Sequence, residues 1–306
     1  MNKTLWSLVV IGPLITSCNK QPPTHSHGDF FVSANAAVRM THHEELVRLA
    51  SLKLNDHFGQ EMVPVDPFNT FGRNSQNPVV RGNYLTDLPA ERRPEEFHLG
   101  NHHGVKDLND ITWNDSLQSV HFNRDMIDGQ YLSTQENCER ALHSMRRDAR
   151  IFLSGADGNR THQLNFLGHL SHSIQDSFSA GHIRRQNIGP YGAKRIVDIC
   201  SYYPSDGHCN HVSNLESDNV WSEVWAALMG SIVDDGKTYN ALKPSAQLAV
   251  DVTFEAWRLL FEFLKSKEPE ASSIDAFMNG PFERFLKDPS QKLGGYFLCP
   301  EDLPPT

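Results

Sequence analysis

The chain has 306 residues, of which 39% are hydrophobic and 21% are charged, a composition typical of a folded globular protein and not of a disordered one. Its 37 acidic residues outnumber its 28 basic residues, and the resulting net charge of −9 argues against a protein that binds nucleic acid through its phosphates. The 16 histidines are unusually many for this length. We therefore look for the chemistry of this protein among its histidines.

The first residues carry the pattern of an export signal. Lys3 supplies a positive charge, residues 5–15 are apolar, and small residues precede Cys18. The pattern resembles a bacterial lipobox, which predicts a signal peptide over residues 1–17, a lipid on Cys18 and a polar tether over residues 18–34. A plain secretory signal cut at a similar place is the alternative. Both interpretations predict an exported protein, and any attachment to a membrane is expected to use the lipid.

Four cysteines remain beyond Cys18, and an even number in an exported chain suggests two disulfides. One arrangement pairs Cys200 with Cys209 and Cys138 with Cys299, but four cysteines allow three pairings. The sequence contains no CxxC spacing, which makes a cysteine-based metal site the weaker interpretation.

Apolar residues recur at helical spacing through much of the chain. An amphipathic helix is predicted to include residues 46–54, and residues 60–110 contain so many Pro and Gly residues that we expect an irregular loop with short helical turns. Further helical patterns cover residues 135–153, 160–179, 217–231 and 245–265. We found no convincing strand pattern and no internal repeat. The sequence predicts a mostly α protein, with residues 35–306 forming a single helical-bundle domain.

One helical segment carries a potential metal-binding motif. His172 and Asp176 are four residues apart, which places both side chains on one face of a helix and within reach of a common ion. Gly181 then stops the helix, so that His182 can turn back towards the other two residues. The combination predicts a metal site.

This segment resembles the zinc-dependent phospholipase C family, whose motif LGxxxHxxxDxxxxxH is matched by Leu167, Gly168, His172, Asp176 and His182. The resemblance implies a helical bundle with a multinuclear zinc site of two or three ions. It also implies hydrolysis of phospholipids, with phosphatidylcholine or phosphatidylethanolamine as expected substrates, to diacylglycerol and a phosphorylated head group. Single-strand-specific zinc nucleases share this superfamily.

For one zinc ion, the resemblance implies four ligands, two of them from the long loop: Asp87, His98, His172 and Asp176. His102 and His103 follow closely and are alternatives to His98. Asp87 is also the residue expected to orient or deprotonate the attacking water.

For a second zinc ion, the resemblance implies His182, a later histidine and an acidic residue one helical turn after it. His211 fits, but Leu215 occupies the position where the acid is expected, so either Glu216 or Asp218 has to replace it.

For a third zinc ion, the resemblance implies a histidine near the start of the first helix together with Asp176. His43 aligns best, and His42 is the alternative. The family also uses an N-terminal Trp, and no Trp lies near the expected mature start here, so this site could be absent, weak, or completed by another residue such as His27.

The remaining histidines lie in polar surroundings and are expected at the surface; they are His25, His27, His57, His121, His143 and His162. His169 lies one turn before His172, and it either supports the metal ligands or packs as an ordinary buried residue.

Three functions compete at this stage. The first is a monomeric phospholipase C that meets phospholipid at a membrane surface and binds no nucleic acid. The second is a zinc nuclease or nucleotidase of the same superfamily, for which the negative net charge is unfavourable. The third is a non-catalytic envelope lipoprotein that binds zinc.

Overall fold

The computed structural model describes residues 42–65, 75–86, 118–127, 130–155, 158–179, 181–187, 194–201, 239–240, 242–266, 270–291 and 293–300. Within these residues the protein is mostly helical. The elements, in chain order, are α1 (His42–Phe58), α2 (Pro78–Thr86), a 3-10 turn (Gln118–His121), β1 (Met126–Ile127), β2 (Gln130–Tyr131), α3 (Thr134–Ser154), α4 (Arg160–Asp176), β3 (Ile183–Asn187), β4 (Lys194–Ile199), α5 (Pro244–Ser266), α6 (Ala271–Phe277), a π-helical turn (Met278–Phe282) and α7 (Glu283–Lys287).

Helices α1, α3, α4 and α5 lie where the apolar spacing predicts helices. Local sequence also sets their ends. Ser133 and Glu136 form a reciprocal capping box at the start of α3, and Gly155 ends that helix with a φ of 52°. Asn159 accepts two backbone N–H groups at the start of α4. The predicted signal peptide and tether, and the predicted helix over residues 217–231, lie outside the described residues.

The expectation that the chain has no strands is wrong. The described strands form two antiparallel hairpins, β1 with β2 and β3 with β4. The first hairpin has only two residues in each strand, and the pairing of the second shifts register between Arg184 and Arg185. Such short or irregular strands do not produce the sustained alternation of apolar and polar residues by which a strand is recognised in a sequence.

Large apolar side chains from α1, α3 and α5 meet in the core. Leu46 and Leu54 of α1, Phe152 of α3, and Trp257 and Phe261 of α5 are almost completely buried. Burying a side chain of this size contributes about 1.5–3 kcal/mol. This packing holds the beginning of α1 in a fixed position relative to α4, which α1, α3 and α5 all contact.

Helices α2 and α4 cross with their backbones in contact, and a glycine on each helix makes this possible. A Cβ atom on Gly82 would lie 2.1 Å from the carbonyl oxygen of Asn165, and one on Gly168 would lie 2.2 Å from that of Val79. Both distances are far below van der Waals contact. Residues 60–110, which were expected to form an irregular loop, therefore contain a nine-residue helix. Pro78 starts this helix, and Gly82 permits its crossing with α4.

Cys138 in α3 forms a disulfide with Cys299, which ties the last described segment to the helical core. This pair is one of those that the sequence allows. Cys200 is also disulfide-bonded, and its predicted partner Cys209 lies outside the described residues. None of the described helices combines the length and the apolar character needed to cross a bilayer.

Candidate metal centre

The candidate centre is built on the second half of α4, which is buried although it carries several polar residues. Residues 164–176 are all buried, and His172 and Asp176 have no solvent exposure at all. The helical spacing of four residues brings His172 Nε2 to 3.1 Å from Asp176 Oδ2. A buried carboxylate is costly unless it is paired, so this stripe of α4 needs partners from other elements.

His43, at the start of α1, is one of those partners. Its Nε2 lies 3.2 Å from Asp176 Oδ1, and its ring stacks on that of His172 with 4.0 Å between the centroids. Potential ligand atoms of His43, His172 and Asp176 all lie within 4.8 Å of one another. These three buried residues could hold a metal ion.

His121 is a second partner, and the expectation that it is a surface residue is wrong. Only 1% of it is exposed, and its Nδ1 lies 3.0 Å from Asp176 Oδ2 and 3.1 Å from His172 Nε2. It belongs to the 3-10 turn, which Ser173 fixes to α4 by donating a hydrogen bond to the carbonyl oxygen of Val120. The contact joins residues 55 positions apart, so no local periodicity in the sequence indicates it.

His182 lies after α4, as the motif predicts, and returns to the same neighbourhood. It is fully buried, and its Nδ1 is hydrogen-bonded to the carbonyl oxygen of His121. Its proximity to Asp176 is also evident in its electrostatic effect on that carboxyl group. The structure thus brings together four of the predicted ligands and one histidine that the sequence did not indicate.

Hydrogen bonds at Nδ1 set the proton positions of three of these rings. A carbonyl oxygen can only accept, so His172 donates from Nδ1 to Asn83 O at 3.0 Å, and His182 donates from Nδ1 to the carbonyl oxygen of His121. His43 Nδ1 bonds Gln175 Oε1 at 2.7 Å. With Nδ1 engaged in this way, Nε2 is the atom that each of these rings would offer to a metal, an arrangement typical of histidine ligands.

The protonation states are also those that metal ligands need. Burial lowers the pKa of His172 to about 3, despite the opposing effect of Asp176, so its ring is neutral near pH 7. Burial alone would raise the pKa of Asp176, but the surrounding histidines, including a hydrogen bond from His121, outweigh that effect and hold this pKa well below its usual range. A neutral imidazole and an ionised carboxylate bind metal without first releasing a proton.

A layer of polar side chains supports the ligands. Asn83 Nδ2 donates to Ser171 Oγ at 3.0 Å and to Gln175 Oε1 at 3.2 Å, so the acceptor of His43 is itself held in place. His169, whose role the sequence left open, is buried and bonds Thr86 Oγ1 through Nδ1 at 2.7 Å. The described contacts of His169 therefore link α4 to the end of α2.

Several predicted site residues lie outside the described residues; they are Asp87, His98 and its alternatives His102 and His103, together with His211, Glu216 and Asp218. Among the histidines expected at the surface, His57 and His143 are exposed and His162 is half-buried.

No protein-family model, no curated protein and no solved structure matches the chain. Its function therefore has to be inferred from the geometry of this centre and from the sequence motif within α4.

Proposed function

We propose that the protein is an exported zinc-dependent phosphodiesterase that hydrolyses phospholipids at a membrane surface to diacylglycerol and a phosphorylated head group. The observation that carries the proposal is a fully buried carboxylate, Asp176, with four histidines around it: His43, His121, His172 and His182. The HxxxD motif within α4 and its resemblance to zinc-dependent phospholipases C supply the reaction.

The donor set fits zinc. It consists of imidazole nitrogens and a carboxylate, which suit Zn²⁺, whereas Mg²⁺ and Ca²⁺ favour sites built from oxygen ligands. Zn–N and Zn–O bonds of about 2.0–2.1 Å place neighbouring ligand atoms of a tetrahedral site roughly 3.3 Å apart. The distances from His172 Nε2 to Asp176 Oδ2, 3.1 Å, and from His43 Nε2 to Asp176 Oδ1, 3.2 Å, are each close to that value, so each ring faces one oxygen of the carboxylate.

His43, His172 and Asp176 would hold one ion, and His121 and His182 are placed to take part in the same centre. Bound zinc would supply Lewis acidity at the phosphate and make a water molecule more acidic. The chain's own contribution is to keep the ligands in one orientation. Asn83 and Gln175 fix the rings of His172 and His43, and burial excludes competing water from their nitrogens. Asp87 remains the proposed residue that orients the attacking water.

Metal analysis combined with a substrate panel tests this proposal. Purified protein is expected to contain zinc, to hydrolyse a chromogenic choline phosphodiester and phospholipids in detergent micelles, and to leave single-stranded DNA intact. His172→Ala and Asp176→Asn are expected to lose both zinc and activity, whereas His143→Ala, which changes an exposed histidine, should lose neither. A chelator should inactivate the protein, and added Zn²⁺ but not Mg²⁺ should restore it.

Each opposing outcome identifies a different function. Cleavage of DNA in place of phospholipid would indicate the nuclease, and zinc without any hydrolysis would indicate a zinc-binding lipoprotein. Full activity in His172→Ala would place the active site elsewhere in the chain.

A further inference from the structure

A cavity of about 690 Å³ lies next to the candidate metal centre along the chain. Residues 177–179, which line it, directly follow Asp176, and residues 183–185, which also line it, directly follow His182. Its volume is within the range of small-molecule binding sites. The two segments that leave the metal centre thus form one wall of a cavity that no step of the proposed mechanism uses.

Two consecutive arginines of β3 line this cavity, beside an irregularity in the β3–β4 hairpin. Successive residues of a regular strand point to opposite faces, but the pairing shifts register between Arg184 and Arg185, where Val197 is an extra residue in β4. A bulge of this kind increases the local twist and redirects neighbouring side chains. Arg184 and Arg185, opposite this bulge, both line the same cavity.

The two arginines play different parts. Arg185 donates to the backbone carbonyl oxygens of Ser177 and Tyr296, and its guanidinium lies over the rings of Phe178 and Phe297. It is a fixed part of the wall. Arg184 is exposed, and among the described residues it forms no ion pair. Its guanidinium can therefore bind an anion without first giving up a carboxylate partner.

The rest of the lining strengthens the positive potential. No acidic residue is among the described residues that line the cavity, although the chain as a whole carries a net charge of −9. Pro244 and Ser245, which also line it, form the first turn of α5, a helix of 23 residues. The positive end of that helix dipole faces the cavity. Phe178 and Tyr296 add an aromatic wall.

We propose that this cavity binds the head group of the substrate and selects anionic phospholipids, whose head groups carry no positive charge, over choline lipids. The inference depends on the proposed function and specifies its substrate class. Arg184 is the selecting residue, because a quaternary ammonium group would meet two guanidinium groups and the positive end of a helix, with no carboxylate among the described lining residues to balance them. This preference differs from the phosphatidylcholine and phosphatidylethanolamine that the resemblance implies.

Binding of two released head groups, measured by titration calorimetry, tests the cavity directly. Glycerol 3-phosphate and phosphocholine both carry a phosphate, but only the second carries a cation. We expect the zinc-loaded protein to bind glycerol 3-phosphate about tenfold more tightly than phosphocholine. Arg184→Gln should weaken glycerol 3-phosphate binding about five- to tenfold and reduce the difference between the two ligands.

Arg195→Gln is the matched control. It removes the same charge from the same hairpin, but Arg195 hydrogen-bonds Gln186 and does not line the cavity. Binding should be unchanged in this variant. The ratio of hydrolysis rates for phosphatidylglycerol and phosphatidylcholine, each presented in neutral detergent micelles, should fall in Arg184→Gln and stay constant in Arg195→Gln.

The outcomes separate this inference from the proposed function. Equal or tighter binding of phosphocholine by the unmodified protein, or an Arg184→Gln variant that binds both ligands normally, would overturn the inference even if hydrolysis depends on His172. If no phospholipid is hydrolysed but glycerol 3-phosphate binds in an Arg184-dependent manner, the cavity is an organic phosphate site and the proposed function fails.

Discussion

Replacing Asp148 with Asn is expected to stabilise the protein at neutral pH. Asp148 lies on the buried face of α3 with only 2% of its surface exposed. Its described hydrogen bonds come from the neighbouring Arg147, whose Nε and Nη2 lie 3.0 and 2.9 Å from Asp148 Oδ1. Burial raises the pKa of Asp148 to about 6, although Arg147 opposes the shift. The folded protein therefore carries an unfavourable buried charge at pH 7.

The size of the effect follows from the difference between the folded and unfolded pKa values. With an unfolded pKa of 3.8 and a folded pKa of about 6, ionisation of Asp148 costs about 3 kcal/mol of folding free energy. Because the folded pKa is the higher one, the folded state holds the proton more tightly. The contribution of a protonated Asp148 is complete below about pH 4, decreases as the pH rises through 6, and is absent above that value.

Urea unfolding at several values between pH 4 and pH 8 measures this contribution. Asp148→Asn is expected to be about 3 kcal/mol more stable than the unmodified protein at pH 7–8, and the difference should shrink towards zero near pH 4. Asp275→Asn is the control, because Asp275 is an exposed residue paired with Arg150 and should show no such trend. Release of metal at low pH affects both proteins alike and cancels in the comparison. A stability difference that does not vary with pH would refute the reasoning.

Three further changes test other parts of the structure. Gly168→Ala should lower the free energy of unfolding by about 3 kcal/mol or more, since its Cβ would lie 2.2 Å from a backbone oxygen of α2; normal stability in urea would contradict the observed crossing. His121→Ala should reduce the zinc content measured by mass spectrometry, and His143→Ala should not; equal zinc in both would remove His121 from the centre. Replacing both Cys138 and Cys299 with Ser should lower the unfolding free energy by about 5 kcal/mol, because the disulfide closes a loop with a sequence separation of 161. Unchanged urea unfolding would argue against a stabilising effect of this disulfide.

The long helices could be predicted because their information is local. Helices α3 and α5 repeat apolar residues at helical spacing over five or more turns, and the capping box of α3 is readable as Ser133 followed by Glu136. The pair His172 and Asp176 was predictable for the same reason, because a spacing of four residues on a helix determines their proximity.

The missed features depend on tertiary structure. His121 belongs to a single 3-10 turn, and only its packing against α4 shows that it faces Asp176. Helix α2 was hidden among Pro and Gly residues that normally interrupt helices. In the folded protein, Pro78 is the first residue of the helix and Gly82 lies where α2 crosses α4. Both residues are therefore compatible with the helix, although in the sequence they suggest that no helix forms.

The contact between the backbones of α2 and α4 also limits how the metal centre can move. No side chain separates the two helices at Gly82 and Gly168, so there is no rotamer change that would let one slide past the other. Asn83 on α2 and the ligands of α4 must therefore move as one rigid body. His43 and His121 come from different elements, α1 and the 3-10 turn. Among the described elements, α1 and this turn are therefore the ones whose displacement we expect to open the site to an ion, while the helix pair that carries Asp176 stays fixed.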